Sequence, residues 1–309
     1  MKGKEQIDVI IDLYNHGNSY HEISVAMDEL FGVKISDDAI RKRIKRKTEP
    51  TKKKKKLSRC LVLSDLHVPY NRNDIINIVK EQAGRIDTLI LGGDIVDCES
   101  ISVFQALGQV PLVQEMEQAW CLLKDIEDLT PNVNRIIMFG NHEARFEKYL
   151  AAKGGELQEL HSKNILREII NGFESQNHIN GATIEFDPLN YTVINNWWYK
   201  HNDLIICHPK DFSKIQGRTT VNACEYFTRE GEDFNAIFTA HTHKIAEKIP
   251  NLNKWCYEIG CLCKEMPYSK EGKLGYTPQN HGYGLAIFED GKFSVNKSKV
   301  VVLGNEHGV

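Results

Sequence analysis

A small all-α unit followed by an α/β domain is the fold class that this 309-residue sequence predicts. Three observations predict it. Before residue 48 the apolar residues recur at helical spacing. From Arg59 onward, short apolar runs alternate with helical stretches, as buried strands and helices do in α/β proteins. Several of those runs end in Asp, Asn or His, at the strand ends where α/β sheets build their sites. The chain is also longer than a typical domain of ~100 to 200 residues, enough for a substantial core with something small attached.

Ile7, Ile10, Ile11 and Tyr14 form the i, i+3, i+4, i+7 stripe of an amphipathic helix, and Gly17 stands where a C-cap belongs. Ser19, three residues before Glu22, makes a capping box for a second helix with the stripe Ile23, Ala26, Met27 and Leu30. Ser36 caps a third helix through Asp37, Asp38, Ala39, Ile40 and Ile44. Its later turns carry Arg41, Lys42, Arg43, Lys45, Arg46 and Lys47. Three short helices with a basic third one resemble a helix-turn-helix domain, in which that helix enters the major groove and its cations neutralise phosphates. Docking or multimerisation is the alternative use of such a unit.

Bulk composition is ordinary for a globular protein: 41% hydrophobic, 26% charged. The formal charge of −3 hides an asymmetry. Residues 41–59 hold twelve Lys or Arg against the single acid Glu49, while the rest from residue 60 is net acidic, so the block reads as a footprint for a polyanion. Apolar stretches such as Leu61–Leu63 and Leu204–Cys207 fall far short of the ~20 residues of a membrane span. The polar Met1–Glu5 does not fit a signal peptide, so no membrane association and a cytoplasmic location are expected. Eight scattered cysteines fit reduced thiols better than a disulfide framework. The group Cys256, Cys261 and Cys263 lacks a fourth ligand for structural zinc and reads as part-buried thiols.

The expected organisation is a helical domain over 1–48, a basic linker over 49–58 and the α/β domain over 59–309. Strands are predicted at 59–64, 87–92, 134–139, 182–186, 203–207, 235–240, 255–259, 284–288 and 298–303. Helices are predicted at 73–83, 112–129, 143–151, 160–171 and 213–229.

Five strand ends carry the chemistry. Cys60–Leu63 runs into Ser64-Asp65-Leu66-His67, Thr88–Leu91 into Gly92-Gly93-Asp94-Ile95-Val96-Asp97, and Ile136–Phe139 into Gly140-Asn141-His142-Glu143. Leu204–Cys207 then leads to His208-Pro209, and Ala236–Ala240 to His241-Thr242-His243. Carboxylate, imidazole and amide oxygen suit divalent metals such as manganese, iron, zinc or nickel. In an extended segment residues i and i+2 point the same way, so Asp65 with His67, and His241 with His243, would each aim two ligands at one pocket. Glycines before Asp94 and Asn141 allow sharp turns and close backbone approach.

In this order the five segments resemble the calcineurin-like metallophosphoesterase family, whose motifs run D-x-H, G-D-x-x-D, G-N-H-D/E, a lone His and G-H-T-H. The resemblance spans residues 59–245 and implies a four-layer sandwich of two mixed sheets flanked by helices. It also implies two divalent metal ions, manganese first, with iron, zinc, nickel or magnesium as alternatives. Asp65, His67 and His243 would hold one, Asn141, His208 and His241 the other, and Asp94 would bridge them. His142 would act beside the scissile phosphate, and Asp97 would support a ligand from behind.

The sequence departs from the family pattern at Pro209 and Ala240, both beside ligands, where glycine is common. Cys98-Glu99 follow Asp97 where the family's protein Ser/Thr phosphatases carry an arginine, which argues against a phosphoprotein substrate. Arg145, one turn along the predicted helix, reads as an ordinary surface arginine, with reach to a substrate phosphate as the alternative. Trp197, Trp198 and Tyr199 read as core or sheet packing, with base stacking as the alternative. His16, His21, His161, His178, His201, His281 and His307 read as structural.

The expected function is metal-dependent phosphodiester hydrolysis of nucleic acid, DNA first. One rival is a small-nucleotide phosphodiesterase or phosphatase whose helical unit makes a homo-oligomer. Another is a DNA-binding regulator with a vestigial metal site. A short helix-turn-helix joined to such a domain resembles accessory nucleic-acid enzymes of bacteriophages or their hosts.

Overall fold

The computed structural model describes residues 2–48, 56–103, 108–155, 164–177, 180–265 and 279–304. Most of the expected linker (49–55), His161, His178 and His307 therefore lie outside the described residues. The chain divides into two compact units, Met1–Lys55 and Lys56–Val309.

The first unit holds helices α1 (Lys2–Asn15), α2 (Tyr20–Phe31) and α3 (Asp37–Thr48). Gly17 ends the first with φ +89°, and Asn18 donates back to the Leu13 carbonyl at 3.2 Å. Ser19 and Glu22 form the capping box in both directions, and Gly32 closes α2 in the left-handed region. Ile10 of the first stripe, Ile23 and Met27 of the second, and Ile40 and Ile44 of the third helix meet with Ile35 in one cluster, while Tyr14 and Leu30, at the stripes' ends, stay exposed. Asp38 holds both Arg41 (2.8 Å) and Lys42 (2.7 Å), and Lys47 lies 3.8 Å from Asp8. Arg43 is half-buried and Lys45 exposed; the side chain of Arg46 lies outside the description.

In the second unit, strands β1 (Leu57–Leu63), β2 (Thr88–Leu91), β3 (Asn134–Met138) and β6 (Thr192–Ile194) run parallel. Antiparallel β12 (Gly282–Glu289) flanks β1 and itself pairs with β13 (Lys292–Phe293) and β14 (Lys299–Val302). The second sheet has the order β10 (Ile245–Asn251), β11 (Lys254–Ile259), β9 (Ala236–Thr239), β8 (Leu204–Cys207), β7 (Trp198–His201). The hairpin β4 (Phe173–Gln176) with β5 (Thr183–Phe186) stands apart from both sheets.

Strand alternation sorts the apolar side chains into layers. Val62, Ile90, Ile136 and Met138 of the first sheet meet Leu204, Ile206, Phe238 and Tyr257 of the second in one core. The opposite faces, Leu61, Leu63, Leu89, Leu91 and Ile137, pack under α4 (Ile75–Gln82), α5 (Leu112–Leu129) and α7 (Ile165–Asn171). Ile205, Cys207 and Ile237 pack under α8 (Arg218–Arg229). The result is helices, sheet, sheet, helix: the four-layer sandwich.

Some expected bounds move. Strand β1 opens at Leu57, inside the stretch read as linker, because Leu57 pairs with Glu289. Helix α8 starts at Arg218 rather than residue 213, since Gly217 stands left-handed just before it. Helix α7 starts at Ile165, capped by Asn164, while residues 160–163 lie outside the described residues. Helix α6 (Ala144–Tyr149) passes into a π-helical stretch, Leu150–Gly154. Strands β4, β6, β7, β10 and β13 were not expected: they are short or half-exposed, without the continuous apolar run of a central strand.

Buried Glu115 on α5 accepts the N–H groups of Cys98 (2.6 Å) and Glu99 (3.0 Å), tying the helix to the loop after β2. Burial lifts its pKa to about 8 against the pull of those two donors. A carboxyl raised on folding adds stability that is full below its unfolded pKa and lost as pH climbs through the folded value. Thermal melting of the wild type should therefore decline between pH 5 and pH 9, and Glu115→Gln should decline less steeply; parallel curves would remove Glu115 as the cause.

Candidate metal centre

The parallel strands β1, β2 and β3 of one sheet and β8 and β9 of the other deliver Asp65 and His67, Asp94, Asn141, His208, and His241 and His243 from their C-terminal ends. All seven positions expected as ligands thus arise from five adjoining loops. The loops are not extended, however. Asp65 (φ +53°), His67 (+49°), Asp94 (+51°), His241 (+75°) and His243 (+52°) are left-handed, so the i, i+2 argument from an extended segment fails. Asp, Asn and His tolerate this region better than most L-residues, yet each still costs on the order of 1–2 kcal/mol. Tertiary contacts must hold such a loop in place.

Asp94 stands in the middle. Its Oδ2 lies 3.1 Å from His208 Nε2, 3.8 Å from His67 Nε2 and 3.9 Å from His142 Nε2. On one side His243 Nε2 approaches Asp65 Oδ1 (3.2 Å) and His67 Nε2 (3.3 Å). On the other, His208 Nε2 faces Asn141 Oδ1 at 3.3 Å, and His241 joins Asp94 and His208 with ligand atoms within 4.8 Å of one another. Burial alone would raise Asp65, Asp94 and Asp97, yet neighbouring imidazoles hold all three below the usual carboxylate range. Burial also lowers His241, with the His208 charge, to about 4. It works against His208 too, but there Asp94 and Asp65 prevail and raise it to about 9.

Hydrogen-bond partners show that these donors fit a cation. Asp97 Oδ1 lies 2.8 Å from His67 Nδ1 and the Gly92 carbonyl 2.9 Å from His208 Nδ1, so each imidazole, when neutral, carries its proton there. Both Nε2 lone pairs then point into the cluster, toward oxygens that are also acceptors. Gln279 closes on His243 from behind, at 2.7 Å from Nδ1, and Cys263 Sγ lies 3.9 Å from the same nitrogen. Lone pairs converging with few protons between them repel unless a positive charge sits among them, and this borderline-to-hard set suits divalent ions.

The scaffold is equally specific. Buried Glu143 accepts N–H groups from Asp94 (3.1 Å), Ile95 (2.6 Å), Val96 (3.3 Å) and Gly140 (2.8 Å), stitching the β2 loop to the β3 loop. Burial, with the Asp94 charge, lifts it to about 7. A Cβ on Gly140 would lie 2.2 Å from Asp94 Oδ1, and one on Gly93 2.8 Å from His208 Nδ1, so no side chain fits at either position. His142 Nδ1 lies 2.9 Å from the Asp97 carbonyl, while its Nε2 meets Arg145 Nη2 at 3.1 Å. Burial and Arg145 lower its pKa, but Asp94 and Asp97 outweigh them and raise it.

Arg145 is therefore no ordinary surface arginine: it also donates to the Asp97 carbonyl at 2.8 Å. The cysteines 256, 261 and 263 are fully rather than partly buried. Sequence reading missed Cys263, which groups with His67 and His243, and Gln279; the nearest signal was the C-x-C spacing after β11. Asp97 stands behind His67, its Oδ1 2.8 Å from Nδ1.

A four-layer α/β sandwich with carboxylates and imidazoles gathered where its two sheets' loops meet defines a metal-dependent phosphoesterase. The family model for calcineurin-like phosphoesterases matches residues 58–245, more than half of the chain, and the chain belongs to that family. Solved structures to which the chain is similar include a metallophosphoesterase from Sphaerobacter thermophilus (15% identity, 81% of this chain and 89% of that one, TM-score 0.38). A Saccharomyces cerevisiae protein serine/threonine phosphatase similar to human PP5 matches at 15% identity over 81% of each chain, TM-score 0.38. Zinc-complexed Vps29 from Entamoeba histolytica matches at 15% over 79% of this chain and 98% of that one, TM-score 0.34. No curated protein matches the chain. Among the described residues no helix is long and apolar enough to cross a membrane.

Glu143→Ala would leave four loop N–H groups without their acceptor, at about 1–3 kcal/mol for each that stays dry. The melting temperature should fall sharply and manganese affinity, measured by calorimetry, should drop with it. Unchanged values for both would show that the loops hold themselves. Gly140→Ala should leave the melting temperature closer to wild type while displacing Asp94, which a loss of metal binding larger than the loss of stability would report.

Proposed function

We propose that this phosphoesterase hydrolyses phosphodiester bonds in nucleic acid, DNA first, with two divalent ions, manganese foremost. The observation that carries the reading is one chain joining the buried donor cluster to a separate helical unit whose third helix is basic. Asp65, His67 and His243 would hold one ion and Asn141, His208 and His241 the other, with Asp94 contributing to both. When bound, such a pair supplies charge neutralisation at the phosphate and an activated water for in-line attack.

The chain's own residues do the rest. Asp97 orients His67 and His142 from behind. His142, its proton retained by the carboxylates around it, donates from Nε2 to the leaving oxygen, the work of an imidazole poised near neutral pH. Arg145, now on Nε2, gives way and keeps its bond to the Asp97 carbonyl. In the helical unit, Arg43, Lys45, Arg46 and Lys47, with Arg41 and Lys42 competing for Asp38, supply cations to DNA phosphates as a helix-turn-helix would.

Labelled single- and double-stranded DNA and RNA, incubated with manganese and then with chelator, test this directly. Chelator-sensitive cleavage of a polymer is expected, abolished by Asp94→Ala and reduced ~10²-fold or more by His142→Ala with metal content intact. Cleavage of small diesters alone would move the assignment to a nucleotide phosphodiesterase. The double substitution Arg43→Ala with Lys45→Ala should weaken DNA binding and flatten its dependence on log salt by about 1 per lost phosphate contact; an unchanged slope would assign the helical unit to another task.

A further inference from the structure

A cavity of about 750 Å³ opens beside the metal centre. Asn141 and His208, both in the donor cluster, form one end of it; Trp197, Tyr226, Asn195 and Asn222 contribute further walls. Its size lies within the ~300–1,000 Å³ of sites for small organic ligands. The charges at its rim cancel, Lys148 and Lys210 against Glu147 and Asp211. A neutral group, rather than a second phosphate, suits such a place.

Trp197 is fixed there from two directions. Its carbonyl accepts the N–H of His208 at 2.8 Å, so the indole follows the metal-centre loop. Its ring stacks on Phe227, with centroids 5.3 Å apart and planes 28° apart, and lies 5.7 Å from Tyr226. One indole face is thus covered by the protein, while the half-buried ring still lines the cavity. Hydrogen-bonding capacity around it is unspent. The Asn222 side chain makes no hydrogen bond to another described residue, and the Asn195 side chain uses only its oxygen, which accepts from Asn164 at 2.8 Å.

We infer that this cavity seats the nucleoside adjoining the scissile phosphate. The base stacks on Trp197, and the side-chain amides of Asn222 and Asn195 meet its polar edge. An aromatic platform with donors and acceptors fits a heteroaromatic base better than a plain apolar group, and the shared residues Asn141 and His208 place it next to the phosphate. The inference rests on the phosphodiester site proposed above.

Two substrates with the same leaving group separate the contributions: thymidine 5′-(p-nitrophenyl phosphate), which carries a nucleoside, and methyl p-nitrophenyl phosphate, which does not. With manganese, the ratio of their kcat/KM values should favour the nucleoside ester. That ratio should fall about tenfold or more in Trp197→Ala, the scale of one lost base stack, and recover in Trp197→Phe. Asn222→Ala, at an exposed position, should lower the ratio too, and it serves if Trp197→Ala does not fold. Calorimetric binding of thymidine 5′-monophosphate gives a readout free of turnover. Binding that survives in the wild type without hydrolysis of either ester would sink the phosphodiesterase reading and keep the cavity. A ratio and a binding constant unmoved by both Trp197→Ala and Asn222→Ala would overturn the nucleoside assignment, as would an equal preference for bis-p-nitrophenyl phosphate.

Discussion

Convergence of lone pairs governs this structure. Asp65, Asp94 and the amide oxygen of Asn141 share a small buried space with the Nε2 atoms of His67 and His208, whose Nδ1–H groups donate away from it, to Asp97 and to the Gly92 carbonyl. Gathering acceptors against acceptors is unfavourable in a low dielectric unless a cation answers them. Neighbouring imidazoles, His208 first among them, hold the Asp65 and Asp94 carboxyls low despite their burial. Everything around the cluster restrains loops that would otherwise spring apart.

The restraint comes from both sheets. Their parallel strands fix where each loop begins, and the core between them, with Phe238 and Tyr257 on one side and Ile90 and Met138 on the other, sets how closely the loops approach. Left-handed backbone at five of the seven donor positions is tolerated because each loop is held twice, by its strand and by a polar knot. Asp65 accepts the N–H of His241 across the sheets at 3.1 Å, and Glu143 binds the Asp94 and Gly140 loops together.

Much of this was legible in the residues. Continuous apolar runs ending in Asp, Asn or His announce buried strands delivering ligands, because few arrangements place those residue types at strand ends by chance. The capping box at Ser19 and the stripe Ile7 to Tyr14 fixed the helical unit for similarly local reasons. What escaped notice was non-local. Cys263 and Gln279 reach His243 from the segments after β11 and before β12, far along the chain. Arg145 looked like a surface residue because its partners, Asp97 and His142, are brought to it only by tertiary structure. Strands β7 and β10, half-exposed and without an unbroken apolar run, carry little local signal. The turn conformation at Asp65 and His241 was misjudged because periodicity says where side chains alternate only while the chain stays extended.

The knot at Glu143 has a kinetic side. Four amides from two loops, Asp94, Ile95, Val96 and Gly140, end on one carboxylate that is 0% exposed. Solvent cannot reach any of them singly, so they open as one event, with the protection ordinarily reserved for the middle of a sheet. Loops are the mobile part of most enzymes, and their disorder is what ligands usually have to freeze out. Here the two loops at Asp94 and Gly140 are already tied together on the chain's own account.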